Sequence, residues 1–153
     1  MAQLKDKIVI TNLAPWVVAF RRQTTLGDVV IPPKGKLTIS SEEVLAQVYV
    51  KNKLFVGDDG EGSHARIFIE DKDTRVEALF ESEDGDKKQN VFLESDAKSL
   101  FQIKPITSFK KEIKDKVVSD AEKALLVELA IKYKVNDYDK IKFIQEYTGL
   151  KIN

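Results

Sequence analysis

Alternating apolar and polar positions dominate the first forty residues of the chain. The segments KIVITNL, residues 7–13, and WVVAFRR, residues 16–22, are rich in β-branched and aromatic side chains. Two shorter apolar runs follow at residues 29–31 and 36–39, and the PPKG between them predicts a turn. Its prolines cannot donate to a β ladder, and Gly35 permits a positive φ. Short strands at this spacing predict a small sheet, a sandwich or a barrel.

A helical period replaces the alternation after residue 39. The segment SSEEVLAQVYVKN, residues 40–52, places Val44, Leu45 and Val48 on one side of a helix. Ser40 and Glu43 have the spacing of a capping box, in which each side chain would bond the backbone of the other residue. The sequence therefore predicts one short helix within the β-rich part.

The rest of the first ninety residues mixes short elements. KLFV, residues 53–56, predicts a short strand or an extended arm, and ARIFIE, residues 65–70, predicts a strand with Ile67 and Ile69 on one face. DTRVEALFE, residues 73–81, predicts a short helix capped by Asp73. The polar segment that follows, ESEDGDKKQN, predicts a loop.

Helical spacing prevails from Val91 onward. A short strand is expected at Val91, followed by a helix that begins near Ser95. Later helices are indicated by apolar residues at i, i+3 and i+4 spacing, by a capping box and by a terminal glycine. The first of these helices is indicated by Phe109, Ile113 and Val117. The second begins at the capping box of Ser119 with Glu122 and has the apolar positions Leu125, Leu126, Leu129 and Tyr133. The third begins at an Asn136/Asp137 cap, has Tyr138, Ile141 and Ile144 on its face, and ends at Gly149.

This order of elements predicts two modules. Residues 1–90 form a β-rich module, a small sheet, sandwich or barrel with a short helix. Residues 91–153 form a helical module of about three helices. Strands followed by helices favour an α+β fold over a parallel α/β fold.

Composition narrows the possible functions. The 153 residues contain 25 Lys+Arg and 25 Asp+Glu, so the formal net charge is zero and no overall attraction to nucleic acid or anionic lipid is encoded. The absence of cysteine removes disulfides, thiolate metal sites and cysteine nucleophiles. Lys5, Asp6 and Lys7 interrupt the N-terminal apolar stretch, so no signal peptide is expected, and no apolar run approaches the ~20 residues that span a bilayer.

The segment GDDGEG, residues 57–62, is the one local pattern that could carry chemistry. An EF-hand alternates its oxygen ligands, whereas Asp58 and Asp59 are adjacent and Gly60 follows at once. The acidic side chains, Glu61 included, would repel a phosphate. We therefore predict a turn between sheet elements. A cation-binding or metal-assisted enzymatic site at Asp58, Asp59 and Glu61 stays as an alternative.

Other candidate residues have plainer structural explanations. His64 is the only histidine, and we expect it to bond the backbone of the turn rather than to act with Ser63 and Asp59. Trp16 is expected to anchor the sheet. Solvated helix faces account for most lysines of the helical half, with a DNA-binding surface as the alternative; these are Lys110, Lys111, Lys114, Lys116, Lys132, Lys134, Lys140 and Lys142. The residues thus predict no catalytic site, no metal and no cofactor.

Three short motifs in the first half carry a family resemblance. They are the V-T-N-L-like strand at residues 9–13, I-P-P-K-G at residues 31–35 and I-x-x-E-E at residues 39–43. In these motifs the chain resembles small virion proteins of tailed bacteriophages. The motifs describe strands and turns, and no functional residue is carried over from the family.

The resemblance implies a non-enzymatic structural protein of the particle. Its place would be capsid decoration, the head–tail connection or the tail. It would be made in the host cytoplasm and become part of the virion in several copies. Its partners would be other virion proteins, such as the major capsid, portal, neck or tail components, and no membrane or nucleic acid is expected. A nucleic-acid-binding accessory protein that uses the lysine-bearing helices is the first alternative, and the metal-assisted site is the second.

Overall fold

The computed structural model describes residues 5–152, which contain five strands and seven helices. The α+β class is confirmed, because all five strands precede residue 70 and the four helices after residue 93 are consecutive. The chain divides into two compact units, Met1–Val91 and Phe92–Asn153. The expected boundary after residue 90 lies one residue from this division.

The strands of the first unit form two small antiparallel sheets. A three-stranded sheet has the order β4-β1-β5, and β2 pairs with β3 in a two-stranded hairpin. In the central strand β1, Ile10 lies opposite both Leu37 and Ile69. The predicted alternation is confirmed in β5, where Ile67 and Ile69 are fully buried. The strands are β1 Ile8–Asn12, β2 Val18–Arg21, β3 Asp28–Ile31, β4 Lys36–Ile39 and β5 Ile67–Ile69.

Three short helices complete the first unit: α1 Ser41–Tyr49, α2 Lys53–Val56 and α3 Lys72–Glu77. The extended KLFV arm was a wrong prediction. Asn52 caps this segment by accepting the Leu54 N–H at 3.1 Å, which starts the helical turn α2.

The N-cap of α3 also differs from the prediction. Asp71 caps the helix in place of Asp73, and its carboxylate accepts the N–H and the hydroxyl of Thr74 at 3.0 and 2.6 Å. Asp73 stands in the first turn and pairs with Lys5.

In the PPKG turn, the residue with a positive φ lies one position earlier than predicted. Lys34 has φ 55°, whereas Gly35 does not have a positive φ. Gly35 is required for a different reason, since a Cβ at this position would lie 2.7 Å from Cγ of Pro32. The glycine therefore allows the chain to fold closely over the proline ring.

The second unit contains four helices, one more than the expected number of about three. They are α4 Glu94–Phe101, α5 Ile106–Lys116, α6 Asp120–Lys132 and α7 Tyr138–Thr148. No strand forms at Val91. The next residue, Phe92, is fully buried among the helices of this unit, and Leu93 is the N-cap of α4.

Local capping signals in this unit behave as predicted. Ser119 and Glu122 form a reciprocal capping box at the start of α6. Asp137 caps α7, which ends at Gly149 with φ 74° in the left-handed region. The apolar faces meet in one core whose fully buried side chains include Phe92, Phe109, Ile113, Leu126 and Ile144.

Candidate functional site

The β2–β3 hairpin has one buried face and one exposed apolar face. Strand alternation directs Val18, Phe20, Val29 and Ile31 into the core. Val30 is 58% exposed and Val17 55% exposed, and Ala19, directly opposite Val30, is exposed as well. We call Val17, Ala19 and Val30 the outer face. Exposed apolar side chains grouped on one surface are typical of a protein–protein contact.

The free edge of β3 carries unpaired backbone groups. The Arg22 N–H donates to the Gly27 carbonyl at 2.9 Å, which sets the phase of the β2–β3 ladder. Because hydrogen-bonded and non-hydrogen-bonded pairs alternate, the backbone groups of Asp28 and Val30 point away from β2. Within residues 5–152 none of these groups has a hydrogen-bond partner. An open edge of this kind can accept a strand from another chain.

Helix α1 covers the opposite edge of the hairpin. Gln47 Nε2 donates to the Arg21 carbonyl at 2.7 Å. The Glu43 carboxylate accepts the backbone N–H of Gln23 at 2.9 Å and that of Thr24 at 3.0 Å. These polar contacts leave the edge of β3 as the accessible one and fix the loop of the hairpin to α1.

Glu43 therefore makes only half of the predicted capping box. Its own N–H donates to Ser40 Oγ at 3.1 Å, but its carboxylate turns toward the hairpin loop instead of the Ser40 backbone. The side chain is almost fully buried, and it also accepts the Thr24 hydroxyl and Gln47 Nε2, both at 2.8 Å. Burial by itself raises the pKa of Glu43, yet the hydrogen bonds from Gln23, Thr24 and Gln47 outweigh it, so the pKa lies below its ordinary value.

Asn12 holds the other end of the hairpin. Its side chain is fully buried, and Nδ2 donates to the carbonyls of Trp16 at 2.7 Å and Pro32 at 3.0 Å, with a longer contact to Ile31 at 3.3 Å. Oδ1 accepts the Ala14 N–H at 2.9 Å. No role is predicted for Asn12 from the sequence patterns. An asparagine at the end of a strand, just before a turn, is the signal that was available.

Trp16 does not anchor the sheet as predicted. Its side chain is 37% exposed and stands beside Val17 at the start of the outer face. The guanidinium carbon of Arg66 lies 5.8 Å from its ring centroid, a cation–π arrangement. Asn12 fixes the backbone of this loop, so the indole is held at the surface. Tryptophan and arginine are the residue types most enriched at the energetic centres of interfaces.

Replacing Asn12 by alanine tests whether its amide holds both the segment before β2, at Trp16, and the segment after β3, at Pro32. We expect the free energy of unfolding to fall by about 2 kcal/mol, because the carbonyls of Trp16 and Pro32 and the Ala14 N–H lose their partner. Urea unfolding followed by the fluorescence of Trp16 measures this change. Gln23→Ala, which removes an exposed amide side chain of the same unit, is the control. Equal stability of the two variants would show that water replaces the amide without cost.

The GDDGEG segment forms a loop between helix α2 and strand β5, not between two strands. Asp59 Oδ1 accepts the N–H of Glu61 at 2.7 Å and that of Ser63 at 3.2 Å. Burial alone raises the pKa of Asp59, but the hydrogen bonds from Glu61 and Ser63 lower it below its ordinary value. In the described part of the chain, no three acidic or histidine side chains are grouped to hold a metal ion. The geometry is that of an Asx-type turn.

His64 follows this loop with φ 60°, and its N–H donates to the Asn90 carbonyl at 2.7 Å. The neighbouring Ser63 Oγ receives the Asn90 N–H at 3.3 Å. The carboxylate of Asp59 is directed at backbone N–H groups of its own loop. Ser63 and His64 thus join the loop to Asn90, so the His64 N–H bonds a distant carbonyl and not the backbone of the turn.

Two lysines of the alternative DNA-binding surface make polar contacts within the helical unit. Lys140 is only 8% exposed, and its Nζ donates to the Phe101 carbonyl at 2.8 Å while lying 5.2 Å from the Phe109 ring centroid. Lys132 pairs with Glu94 at 2.6 Å. Phe109 and Phe143 are buried in the core of this unit, and Tyr133 is partly buried against it. The Phe109 and Phe143 rings thus pack against apolar neighbours of this unit.

None of the helices in residues 5–152 combines the length and the apolar character needed to cross a membrane. Comparison of the chain with protein-family models, with curated proteins and with solved structures finds no match. The features of the described chain that suggest a function are the outer face, the open edge of β3 and the contacts that hold them.

Proposed function

We propose that this protein is a non-enzymatic structural or assembly protein of a tailed bacteriophage particle and that it acts through protein–protein contacts. The observation that carries the proposal is the open β3 edge next to the outer face. Both belong to a hairpin that is fixed at each end by a buried polar side chain, Asn12 and Glu43. Its place is that of a capsid decoration, head–tail or tail accessory protein, present in several copies and bound to other virion proteins.

The open edge favours strand addition as the mode of binding. A strand of a neighbouring virion protein would pair with the backbone groups of Asp28 and Val30, and its apolar side chains would cover the outer face. Main-chain hydrogen bonds provide affinity in this mode, and alternate side chains provide specificity. Because the hairpin is already fixed, little conformational entropy is lost when the strand binds.

The motifs that resemble phage virion proteins coincide with the contacts that hold the hairpin. Residues 9–13 contain Asn12, and residues 31–35 contain the carbonyls that its amide binds. Residues 39–43 end at Glu43, which holds the loop at the other end. The three motifs thus contain the residues that hold the hairpin whose β3 edge is open, which supports a role in contacts between particle proteins.

Localisation in purified particles tests the proposal. We expect mass spectrometry of purified particles to detect the protein at a stoichiometry of several copies. Val30→Lys places a charge on the outer face of an edge strand, where natural proteins use lysine to block strand addition. This variant is expected to keep its melting temperature and to be incorporated about tenfold less, which corresponds to roughly 1.4 kcal/mol of binding.

Val50→Lys is the matched control, because Val50 is 50% exposed and follows α1 rather than lying on the hairpin. It should be incorporated like the parent protein. Absence of the protein from purified particles contradicts the particle assignment. Normal incorporation of a folded Val30→Lys variant contradicts the role given to the outer face.

A further inference from the structure

A stripe of exposed side chains runs along helix α7. Tyr138 is 73% exposed and Leu150, just beyond the helix, is 42% exposed; Lys142 and Glu146 are exposed between them. Tyr138, Lys142 and Glu146 have i, i+4 spacing, which places these three side chains in one row on the helix. Leu150 follows the left-handed Gly149, and it continues the row because it lines one surface depression with Lys142 and Glu146. The opposite side of the helix is buried through Ile144 in the core.

Two surface depressions of about 310 Å³ each flank this row. The first is lined by Ile106, Lys110, Asp139 and Phe143, and the second by Gln145, Gly149, Leu150 and Lys151. Lys142 and Glu146 border both depressions. The row therefore has an opposite-charge pair at its centre, large apolar side chains at its ends and a recess on either side.

The two central charges, Lys142 and Glu146, are unpaired within residues 5–152. Neither Lys142 nor Glu146 makes an ion pair in the part of the chain that the structure describes. Their order along the helix, lysine four residues before glutamate, is the less favourable one for an intrahelical pair. Both charges are thus available to a second molecule.

We propose that α7 binds α7 of a second copy of this chain, antiparallel, about a two-fold axis that passes near Ile144. Such an axis pairs residues that are equally distant from Ile144 in sequence. Lys142 then faces Glu146 of the other copy, and Tyr138 faces Leu150, each contact occurring twice. The inference rests on the proposed function in that it supplies the contact between copies of an assembly protein.

The row is self-complementary under this symmetry, as an isologous interface requires. Reversing the orientation to parallel would place Lys142 against Lys142 and Glu146 against Glu146, so charge repulsion selects the antiparallel arrangement. Gly149 has no side chain, and the depression that it lines beside Leu150 provides space for the Tyr138 ring of the second copy. The charge pairs fix the register, and the ring and the leucine supply the apolar area.

Charge reversal in the full-length chain tests the pairing by sedimentation equilibrium over a range of protein concentrations. We expect the parent protein to dimerise. Lys142→Glu and Glu146→Lys, each alone, should weaken the dimer at least tenfold, because each creates like charges across the axis. The double variant with both changes should dimerise like the parent. Lys114→Glu, at an exposed position on α5, is the control and should leave the dimer unchanged.

Mixing the two single variants gives the sharpest result. One copy then carries glutamate at both positions and the other carries lysine at both, so every pair across the axis is of opposite sign. We expect the mixture to form a heterodimer where neither variant forms a homodimer. A parent protein that stays monomeric throughout, or single variants that dimerise like the parent, would overturn the pairing.

The test of the α7 pairing and the test of the proposed function can fail independently. A protein that joins particles but never dimerises through α7 refutes the pairing and leaves the particle assignment intact. A protein that dimerises as described but is absent from particles refutes the assignment and leaves the pairing intact.

Discussion

Replacing Gly57 by alanine is expected to lower the free energy of unfolding of the first unit by about 3 kcal/mol or more. Gly57 has φ 66° and ψ −160°, a combination that is essentially restricted to glycine. A Cβ at this position would lie 2.1 Å from the carbonyl oxygen of Ser63. That oxygen belongs to the backbone, so the loop cannot accommodate the methyl group without shifting the chain.

Gly60→Ala is the matched control in the same loop. Gly60 also has a positive φ, 77°, but a Cβ there would meet no atom within 4 Å. We expect a loss of about 1 kcal/mol, the cost of a left-handed conformation for alanine. Urea unfolding followed by fluorescence reports on the first unit, because Trp16 is the only tryptophan. Equal losses for both variants would show that backbone conformation, and not the contact with Ser63, decides the sequence of this loop.

The second large effect is expected for Glu43→Gln, a loss of about 3 kcal/mol at neutral pH. The substitution keeps the shape of the side chain but replaces one acceptor oxygen by an amide donor. One or more of the N–H groups of Gln23 and Thr24 would then face a donor, and the charge-assisted character of the remaining bonds is lost. Glu42→Gln, at the exposed neighbouring position, is the control and should have no effect.

The loss should depend on pH in a defined direction. The folded-state pKa of Glu43 is lowered, so its contribution is complete above the ordinary glutamate pKa of about 4.3 and disappears as the pH falls through the lower folded value. The stability difference between the parent and Glu43→Gln is therefore expected to shrink in acid. Urea unfolding of both proteins at pH 7 and at about pH 3 measures it. A constant difference would show that the carboxylate charge is not what holds the loop.

Features that depend on near neighbours in sequence could be predicted. The capping box of Ser119 with Glu122 and the glycine that ends α7 were found from the sequence, because a helix end is completed by residues within one turn. The strand at residues 67–69 was predicted because alternation is itself the signature of a sheet with one buried face.

The wrong predictions concern segments whose state depends on distant residues or on competing caps. KLFV has the composition of a strand, but Asn52 starts a helical turn, and Phe55 then packs against Phe20 with ring centroids 5.0 Å apart. Trp16 has the character of a core residue, yet Asn12 directs its loop to the surface. Propensity is a weak guide where tertiary contacts compete with it.

The candidate site likewise combines features that depend on near neighbours in sequence with features that depend on distant residues. The sequence by itself determined an α+β chain with balanced charge, no cysteine, and a glycine-rich acidic segment that fails the spacing of a calcium loop. Only the tertiary structure decided that the Glu43 carboxylate leaves its own helix end for the hairpin loop and that the edge of β3 stays open. Caps and alternation act over a few residues, whereas the partner of a buried carboxylate and the exposure of a strand edge depend on where distant segments meet. Local pattern therefore predicted most of the elements, and packing decided the surface that the protein presents.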